Sequence, residues 1–362
     1  GIGPVVVWNS TRTCNLRCRH CYMNSDAKKY SDELTTDEAK KFIDDLAEFK
    51  VPVLLFSGGE PLMREDFFEL AEYAANKNIR PTLSTNGTLI TREVAERIKN
   101  IGVGYVGISL DGLADVNDKF RGVVGAYNKA MQGIENCVAV GQRVGLRFTI
   151  NRHNFNELDN IFDFIEEHKI NRVCFYHLVY SGRGSQMIDE DVTPSESRQA
   201  MDIIIRRTKD FEERGLDKEI LTVDNHCDGV YMYLKSLYEG DNKTATQIKN
   251  FISMNGGNRS GIAFAEVDPV GNVHPDQFTQ HYTFGNVRDK KFSEIWTDLS
   301  NPILAGLKNR KHLLKGRCAE CKFLDNCNGN FRTRAEAKTG DFWQSDPACY
   351  LTDKEIGIQS DN

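Results

Sequence analysis

The stretch Cys14-Asn15-Leu16-Arg17-Cys18-Arg19-His20-Cys21-Tyr22 decides how the rest of the chain is read. It places three thiols within eight residues, in the spacing C-x3-C-x2-C. A four-iron, four-sulfur cluster takes four thiolates, so one held here would keep an iron without a protein sulfur. An open coordination position separates a reactive metal site from a closed structural one. A zinc knuckle draws on the same residue types and stands as the alternative for the triplet alone. Just before the loop runs Val5-Val6-Val7-Trp8, a strand-like apolar segment. The loop therefore leaves the carboxyl end of a first strand, where α/β folds place their chemistry.

Outward from this stretch, strand-like and helical patterns alternate to about residue 180. Thr35 or Thr36 can cap a helix from Asp37 to Phe49, with Ala39, Phe42, Ile43 and Leu46 on one face. Strands are expected at 52–56, 81–84, 103–110, 144–150 and 172–179, with helices at 65–77, 91–100, 123–140 and 156–168 between them. That makes six β–α steps with short connections, which argues for a parallel sheet curled by right-handed crossovers. Six steps are too few for a closed eight-fold barrel. The fold class expected is α/β, a partial (β/α)6 TIM-like barrel with a loop-rich iron–sulfur extension at its carboxyl end. Three segments are expected: residues 1–185 as the barrel core, 186–300 as a helical and β-turn bridge, and 301–362 as the extension. The break between the first two falls at Ser181-Gly182-Arg183-Gly184-Ser185. Helices are expected at 194–214, 228–239 and 292–299, and short β runs between 262 and 288.

The 362 residues are 40% hydrophobic and 27% charged, as suits a globular chain with a sizeable core. Net charge is −6 with no concentrated basic patch, which argues against nucleic acid as a partner. No apolar run reaches membrane-spanning length and no signal pattern opens the chain, so a cytoplasmic, membrane-free protein is expected. Seven of the ten cysteines fall into two ordered sets, which fits metal ligation in a reducing compartment better than a disulfide framework. Cys137, Cys174 and Cys227 read as buried thiols.

The second set is Cys318-x2-Cys321-x5-Cys327-x21-Cys349. Four thiolates can fill every iron of a second cluster, which would then pass electrons or hold loops together. Four-cysteine zinc has similar spacing and is the rival. Between the sets, three polar turns follow strands. Ser57-Gly58-Gly59-Glu60-Pro61 can bring backbone close to a ligand and offer acceptors to an ammonium group. Ser84-Thr85-Asn86-Gly87 and Ser109-Leu110-Asp111-Gly112 can offer hydroxyl, amide or carboxylate groups, or merely cap their βα turns.

The first triplet, the aromatic Tyr22 after it and the preceding β run resemble the signature of radical S-adenosylmethionine (SAM) enzymes. That resemblance implies an iron chelated by the amino and carboxylate groups of SAM, whose reductive cleavage releases a 5′-deoxyadenosyl radical. It makes Cys14, Cys18 and Cys21 cluster ligands and Gly58, Gly59, Glu60 and Pro61 the holders of the SAM amino group. Tyr22, Ser84, Asn86 and Ser109 would line the cofactor site, with Arg121 as a carboxylate partner. The tail resembles the SPASM-type extension of some members, which makes Cys318, Cys321, Cys327 and Cys349 ligands of a second, fully cysteine-ligated four-iron cluster. That extension often carries two clusters, but here Phe331 occupies the position of a further cysteine and none occurs from 256 to 277. One auxiliary cluster is supported.

Two further stretches narrow the resemblance. They are Gly257-Asn258-Arg259-Ser260-Gly261 with Gly271 to Phe278, and Cys327 to Ala337 with Gly340 to Thr352. They are similar to the radical SAM group that trims side chains from sirohaem-derived tetrapyrroles, in the alternative haem pathway and in haem d1 biosynthesis. The resemblance implies an oxidoreductase or lyase that removes two acetate side chains from didecarboxysirohaem to give iron-coproporphyrin III. It also implies a small electron donor such as a ferredoxin or flavodoxin. A SPASM-type peptide maturase and a zinc-stabilised, non-enzymatic binding module are the competing readings. A tetrapyrrole bearing carboxylates wants guanidinium groups and an apolar slot. Arg183, Arg259, Arg332 and Arg334 are candidates for the first, and His177, His226, His274 and His281 for approach to its iron. No residue stands out as catalytic acid or hydrogen donor.

Overall fold

The structure is a computed structural model and describes residues 3–359. The outermost residues of the first and last expected segments lie outside the described residues. Nine strands form one sheet: β1 Val5–Asn9, β2 Val53–Ser57, β3 Arg80–Thr85, β4 Val106–Ser109, β5 Val144–Ile150, β6 Arg172–His177, β7 Glu219–Val223, β8 Phe264–Val267 and β9 Val273–His274. The sheet order is β7-β6-β5-β4-β3-β2-β1-β8-β9. Every neighbouring pair is parallel except β8 with β9.

The first six strands are those read from the sequence, and they run in chain order across the sheet as successive right-handed crossovers require. The helices between them are α1 Thr36–Glu48, α2 Phe67–Asn76, α3 Arg92–Ile101, α4 Ala114–Arg121, α5 Ala126–Ala139 and α6 Leu158–Glu167. Thr35 caps α1 in a reciprocal box with Glu38. The single helix expected at 123–140 begins at Ala126, and α4 precedes it, separated by Gly122 and Gly125 in left-handed backbone.

The segment 186–300 contributes to both edges of the sheet. It supplies α7 Pro194–Glu213, β7 beside β6, the hairpin of α8 Cys227–Tyr238 and α9 Asn242–Asn255, and then β8 beside β1. Neither β7 nor α9 was expected. No residue of β7 is fully buried, so it lacks the apolar run that marks an interior strand.

Alternation along each strand divides the labour. On β5, Leu146, Phe148 and Ile150 are buried beneath helices, whereas Arg147 and Thr149 point to the inner face. The core is dense with aromatic rings: Trp8 packs on Phe56 at 5.5 Å and on Phe42 at 5.8 Å, and Phe162 stacks on Phe175 at 5.3 Å. This leaves the carboxyl ends of the strands to carry polar groups.

Candidate active site

Those ends surround a cavity with an empty volume of about 970 Å³. Its wall includes Cys14, Cys18, Cys21, Tyr22, Gly58, Gly59, Ser84, Asn86, Ser109 and Arg121. Every residue proposed for cofactor contact is therefore on one wall except Glu60 and Pro61. Glu60 is fully buried behind it, accepting from Thr85 Oγ1 at 2.8 Å, Asn86 N at 2.8 Å and Leu62 N at 3.1 Å. Burial pushes its carboxyl up to about 7 despite those donors.

The cysteine loop is fixed mostly by backbone. Cys14 N donates to Asp26 O at 2.7 Å, and Arg17 N and Arg19 N donate to Arg121 O and Phe120 O at the end of α4. The glycines of the second turn serve this loop as well as any ligand. Gly59 N donates to Thr11 O at 2.7 Å, and Glu60 N donates to Thr13 O at 2.9 Å. A Cβ on Gly58 would lie 2.4 Å from Thr11 O, and one on Gly59 would lie 2.3 Å from Thr13 O. Only glycine lets the two segments approach this closely.

Arg121 pairs with the fully buried Asp111 and donates to Cys18 Sγ at 3.5 Å, so its guanidinium is engaged at the thiol as well as reaching the cavity. Asn86 Nδ2 donates to Asn15 Oδ1 at 2.8 Å, tying the third βα turn to the cysteine loop. Tyr22 bonds Asn9 Oδ1 and Ser57 Oγ, both at 3.0 Å, which fixes its ring against Phe278. Burial pushes Cys14 up to about 12 and raises Cys18, so these thiols keep their protons until a metal displaces them. The donor set suits a cluster with three thiolates, and the glycine turn and hydroxyl groups beside it suit the polar end of SAM.

The expected flexible break is part of the site. Gly182 packs where a Cβ would meet Tyr22 O at 2.4 Å, and Arg183 N donates to Cys21 O at 2.9 Å. Arg183 also donates from Nε to Cys18 O and from Nη1 to Ser25 O, so it clamps the cysteine loop. The other three arginines are not at the cavity wall. Arg332 is buried on the carbonyls of Gly329, Phe342 and Gln344, and Arg334 is buried against Asp346. Arg259 is half-buried, with a bond to Asn255 O. Their loops read as exposed, but each guanidinium satisfies local backbone or an internal carboxylate.

Of the four histidines, only His177 lines the cavity. His226 stacks near Phe331, His274 is buried with Nδ1 on Tyr282 O, and His281 pairs with Glu336 at the surface. His177 Nε2 bonds Asp228 Oδ2 at 2.9 Å, and Tyr350 Oη donates to Asp228 Oδ1 at 2.7 Å. Burial opposes protonation of His177, but the Asp228 carboxylate overrides it and raises its pKa. This chain leads to a second cavity, because Asp228 follows Cys227 and Tyr350 follows Cys349.

The second cavity, about 470 Å³ in empty volume, is bordered by Cys318, Cys321, Cys327 and Cys349, the four thiols of the later set. It is also bordered by Cys227, which is buried as read from the sequence but lies beside this second set. A Cβ on Gly257 would sit 2.2 Å from the carbonyl of Cys327, which explains a glycine there. Asn258 N donates to Cys327 O at 3.0 Å.

The inner face also carries Arg147, Thr149 and Tyr176 from β5 and β6, and Asp224 after β7. Sequence reading missed them. The period-two alternation of Leu146, Arg147, Phe148, Thr149 and Ile150 was the available signal, since it sets two polar side chains opposite three apolar ones.

Comparison with known proteins fits this geometry. Residues 8–165 match the radical SAM superfamily, and residues 261–322 match the iron-sulfur cluster-binding domain called SPASM. The chain is 57% identical to Fe-coproporphyrin III synthase of Methanosarcina barkeri over 98% of its own length and 89% of the relative's. It is 43% identical to pre-heme d1 synthase of Dinoroseobacter shibae over 99% and 89%. The crystal structure of Streptococcus suis SuiB bound to S-adenosylmethionine superposes with a TM-score of 0.76, covering 97% of this chain and 78% of that one at 18% identity, which speaks to the fold alone. Among the described residues no helix is long and apolar enough to cross a membrane. The chain belongs to the radical SAM superfamily and is a radical SAM enzyme with a SPASM-type extension, a SAM cofactor and two four-iron clusters.

Proposed function

We propose that the enzyme removes acetate side chains from didecarboxysirohaem to give iron-coproporphyrin III. The observation that carries this is one cavity lined both by the three-thiol loop and by a guanidinium, Arg147, that makes no side-chain hydrogen bond or ion pair among the described residues. The similarity to Fe-coproporphyrin III synthase along nearly the whole chain supports the same substrate.

In this reading Cys14, Cys18 and Cys21 hold the cluster with the open iron. Gly58, Gly59, Ser84, Asn86, Ser109 and Tyr22 border SAM. Glu60 sets the turn and offers negative charge behind the SAM ammonium group, and Pro61 starts the following helical turn. Arg121 balances charge at Cys18 and the SAM carboxylate. When bound, the reduced cluster and SAM would supply radical chemistry able to take hydrogen from an unactivated carbon. The chain's part is to exclude water around it and present one side chain of the macrocycle at a time. Cys318, Cys321, Cys327 and Cys349 hold the second cluster, and a small ferredoxin- or flavodoxin-type donor in the cytoplasm supplies electrons.

The test is anaerobic incubation of the cluster-loaded enzyme with dithionite, SAM and didecarboxysirohaem, followed by the mass of the porphyrin. Loss of two acetate groups is expected. SAM cleavage with an unchanged tetrapyrrole would overturn the assignment. Removal of side chains other than acetate would instead favour the haem d1 type of reaction, the reading supported by the 43% identity to pre-heme d1 synthase.

A further inference from the structure

We infer that Arg147 is the specificity-determining anchor for a carboxylate side chain of the tetrapyrrole. The inference rests on the functional reading above and deepens it. Three arginines reach the cavity wall, Arg121, Arg147 and Arg183. Arg121 is committed to Asp111 and Cys18, and Arg183 to the carbonyls of Cys18 and Ser25. Among the described residues, the Arg147 side chain has no hydrogen bond and no ion pair; beyond burial, the groups acting most strongly on its charge are Tyr176, Cys174, Tyr105 and Tyr22, none of them a carboxylate.

The fold nevertheless holds this guanidinium in place. Its stem lies across Gly107 on the neighbouring strand β4, where a Cβ would come within 2.9 Å of Arg147 Cδ. Its guanidinium carbon sits 4.6 Å from the centre of the Tyr176 ring. Stacking on an aromatic face leaves the edge of the fork free to donate in its own plane. A charge so placed, mostly shielded from bulk water and with no carboxylate in ion-pair contact, is costly unless something anionic arrives. Bidentate capture of a carboxylate is what this geometry offers.

The sole acid on the cavity wall is Asp224, and burial pushes its carboxyl up to about 7, so near neutral pH it only partly offsets Arg147. Two carboxylates could reach this cavity, that of SAM and those of the tetrapyrrole. Position favours the tetrapyrrole. Arg147 pairs in register with Ser109 on β4, but its guanidinium lies over Tyr176 of β6 and faces Asp224 after β7, whereas Gly58, Gly59, Ser84 and Asn86 lie on or after β2 and β3.

The test uses the cluster-loaded enzyme, with iron-coproporphyrin III and its tetramethyl ester as probes, titrated by the change in porphyrin absorption. SAM binding is measured in parallel, and iron content and thermal unfolding serve as folding controls. Wild type should prefer the free acid over the ester. R147Q should lose about tenfold or more in affinity for the acid, the scale of a charge-assisted pair, and nothing for the ester. R147K should retain part of the preference, and it decides the question should R147Q fail to load iron. Equal binding of the acid by wild type and R147Q would overturn the proposal. So would a loss of SAM affinity with tetrapyrrole affinity unchanged, which would put Arg147 on the cofactor. If wild type bound neither probe, the functional reading itself would fail first.

Discussion

Arg334→Met is the perturbation that most sharply separates a structural arginine from a substrate-binding one. Arg334 and Asp346 are both fully buried. Arg334 donates from Nε to Asp346 Oδ1 at 3.0 Å and from Nη2 to Oδ2 at 2.8 Å. It also reaches Leu178 O at 3.2 Å after β6 and Asp224 O at 2.6 Å after β7. One side chain thus ties the extension to the ends of two barrel strands. Removing it strands a buried carboxylate with only the N–H groups of Phe331 and Ala348 as donors. Breaking a buried pair from one side costs about 3–5 kcal/mol. At about 2–4 °C per kcal/mol for large domains, the melting temperature should fall by roughly 6–20 °C. The assay is anaerobic thermal unfolding of the loaded enzyme, followed by far-ultraviolet dichroism and by visible cluster absorption. Arg334→Met/Asp346→Leu should recover part of the loss, since the stranded charge is gone while two carbonyls and two N–H groups still lack partners. A single-variant loss below about 1 kcal/mol, less than a typical hydrogen bond to a charged group, would refute the assignment. So would an intact melt with weakened tetrapyrrole binding.

Further outcomes follow from the same geometry. Gly59→Ala should retain helix content yet lose SAM cleavage, because the new methyl would displace Thr13 O and with it the cysteine loop; unaltered cleavage would contradict the role given to that turn. Cys349→Ala should lower iron content by about one cluster, whereas Cys227→Ala should keep both clusters and change only the spectrum of the second; iron loss in Cys227→Ala would make it a ligand. Asp224 faces Arg334, Arg147, Asp276 and His177, and burial raises its pKa from 3.8 to about 7. The folded state therefore holds this proton more tightly, so the group's contribution to stability is full below 3.8 and declines as pH rises to about 7. Binding of the free-acid porphyrin should weaken over the upper end of that range as Asp224 ionises beside Arg147. Asp224→Asn should flatten both profiles, and an unchanged slope in porphyrin binding would show that another group titrates.

What the sequence made legible was local. The cysteine triplet, the glycine turn and the six strands announce themselves within windows of about ten residues, because ligand spacing and alternation are short-range properties. Helix α1 was legible down to its cap, since Thr35 and Glu38 stand three apart. What stayed hidden depends on partners far along the chain. Arg332 and Arg334 look like surface guanidinium groups until the tail folds over them, and Cys227 looks isolated until the fold brings it to the same cavity as Cys349, more than a hundred residues later. Arg147 was passed over for the opposite reason: its strand was read only for its apolar residues, although the alternation already placed 147 and 149 on the inner face. The glycines at 58 and 59 read as serving a ligand, and the structure adds a second use for them as a seat for residues 11–13.

The direct test of the account is whether SAM completes an iron that Cys14, Cys18 and Cys21 leave open. Electron–nuclear double resonance on the reduced, loaded enzyme with SAM labelled at its amino nitrogen reads this contact. The account predicts a nitrogen coupling to the first cluster, absent in the variant carrying alanine at all three positions. A first cluster that shows no coupling to SAM, or that proves fully ligated by side chains, would contradict it.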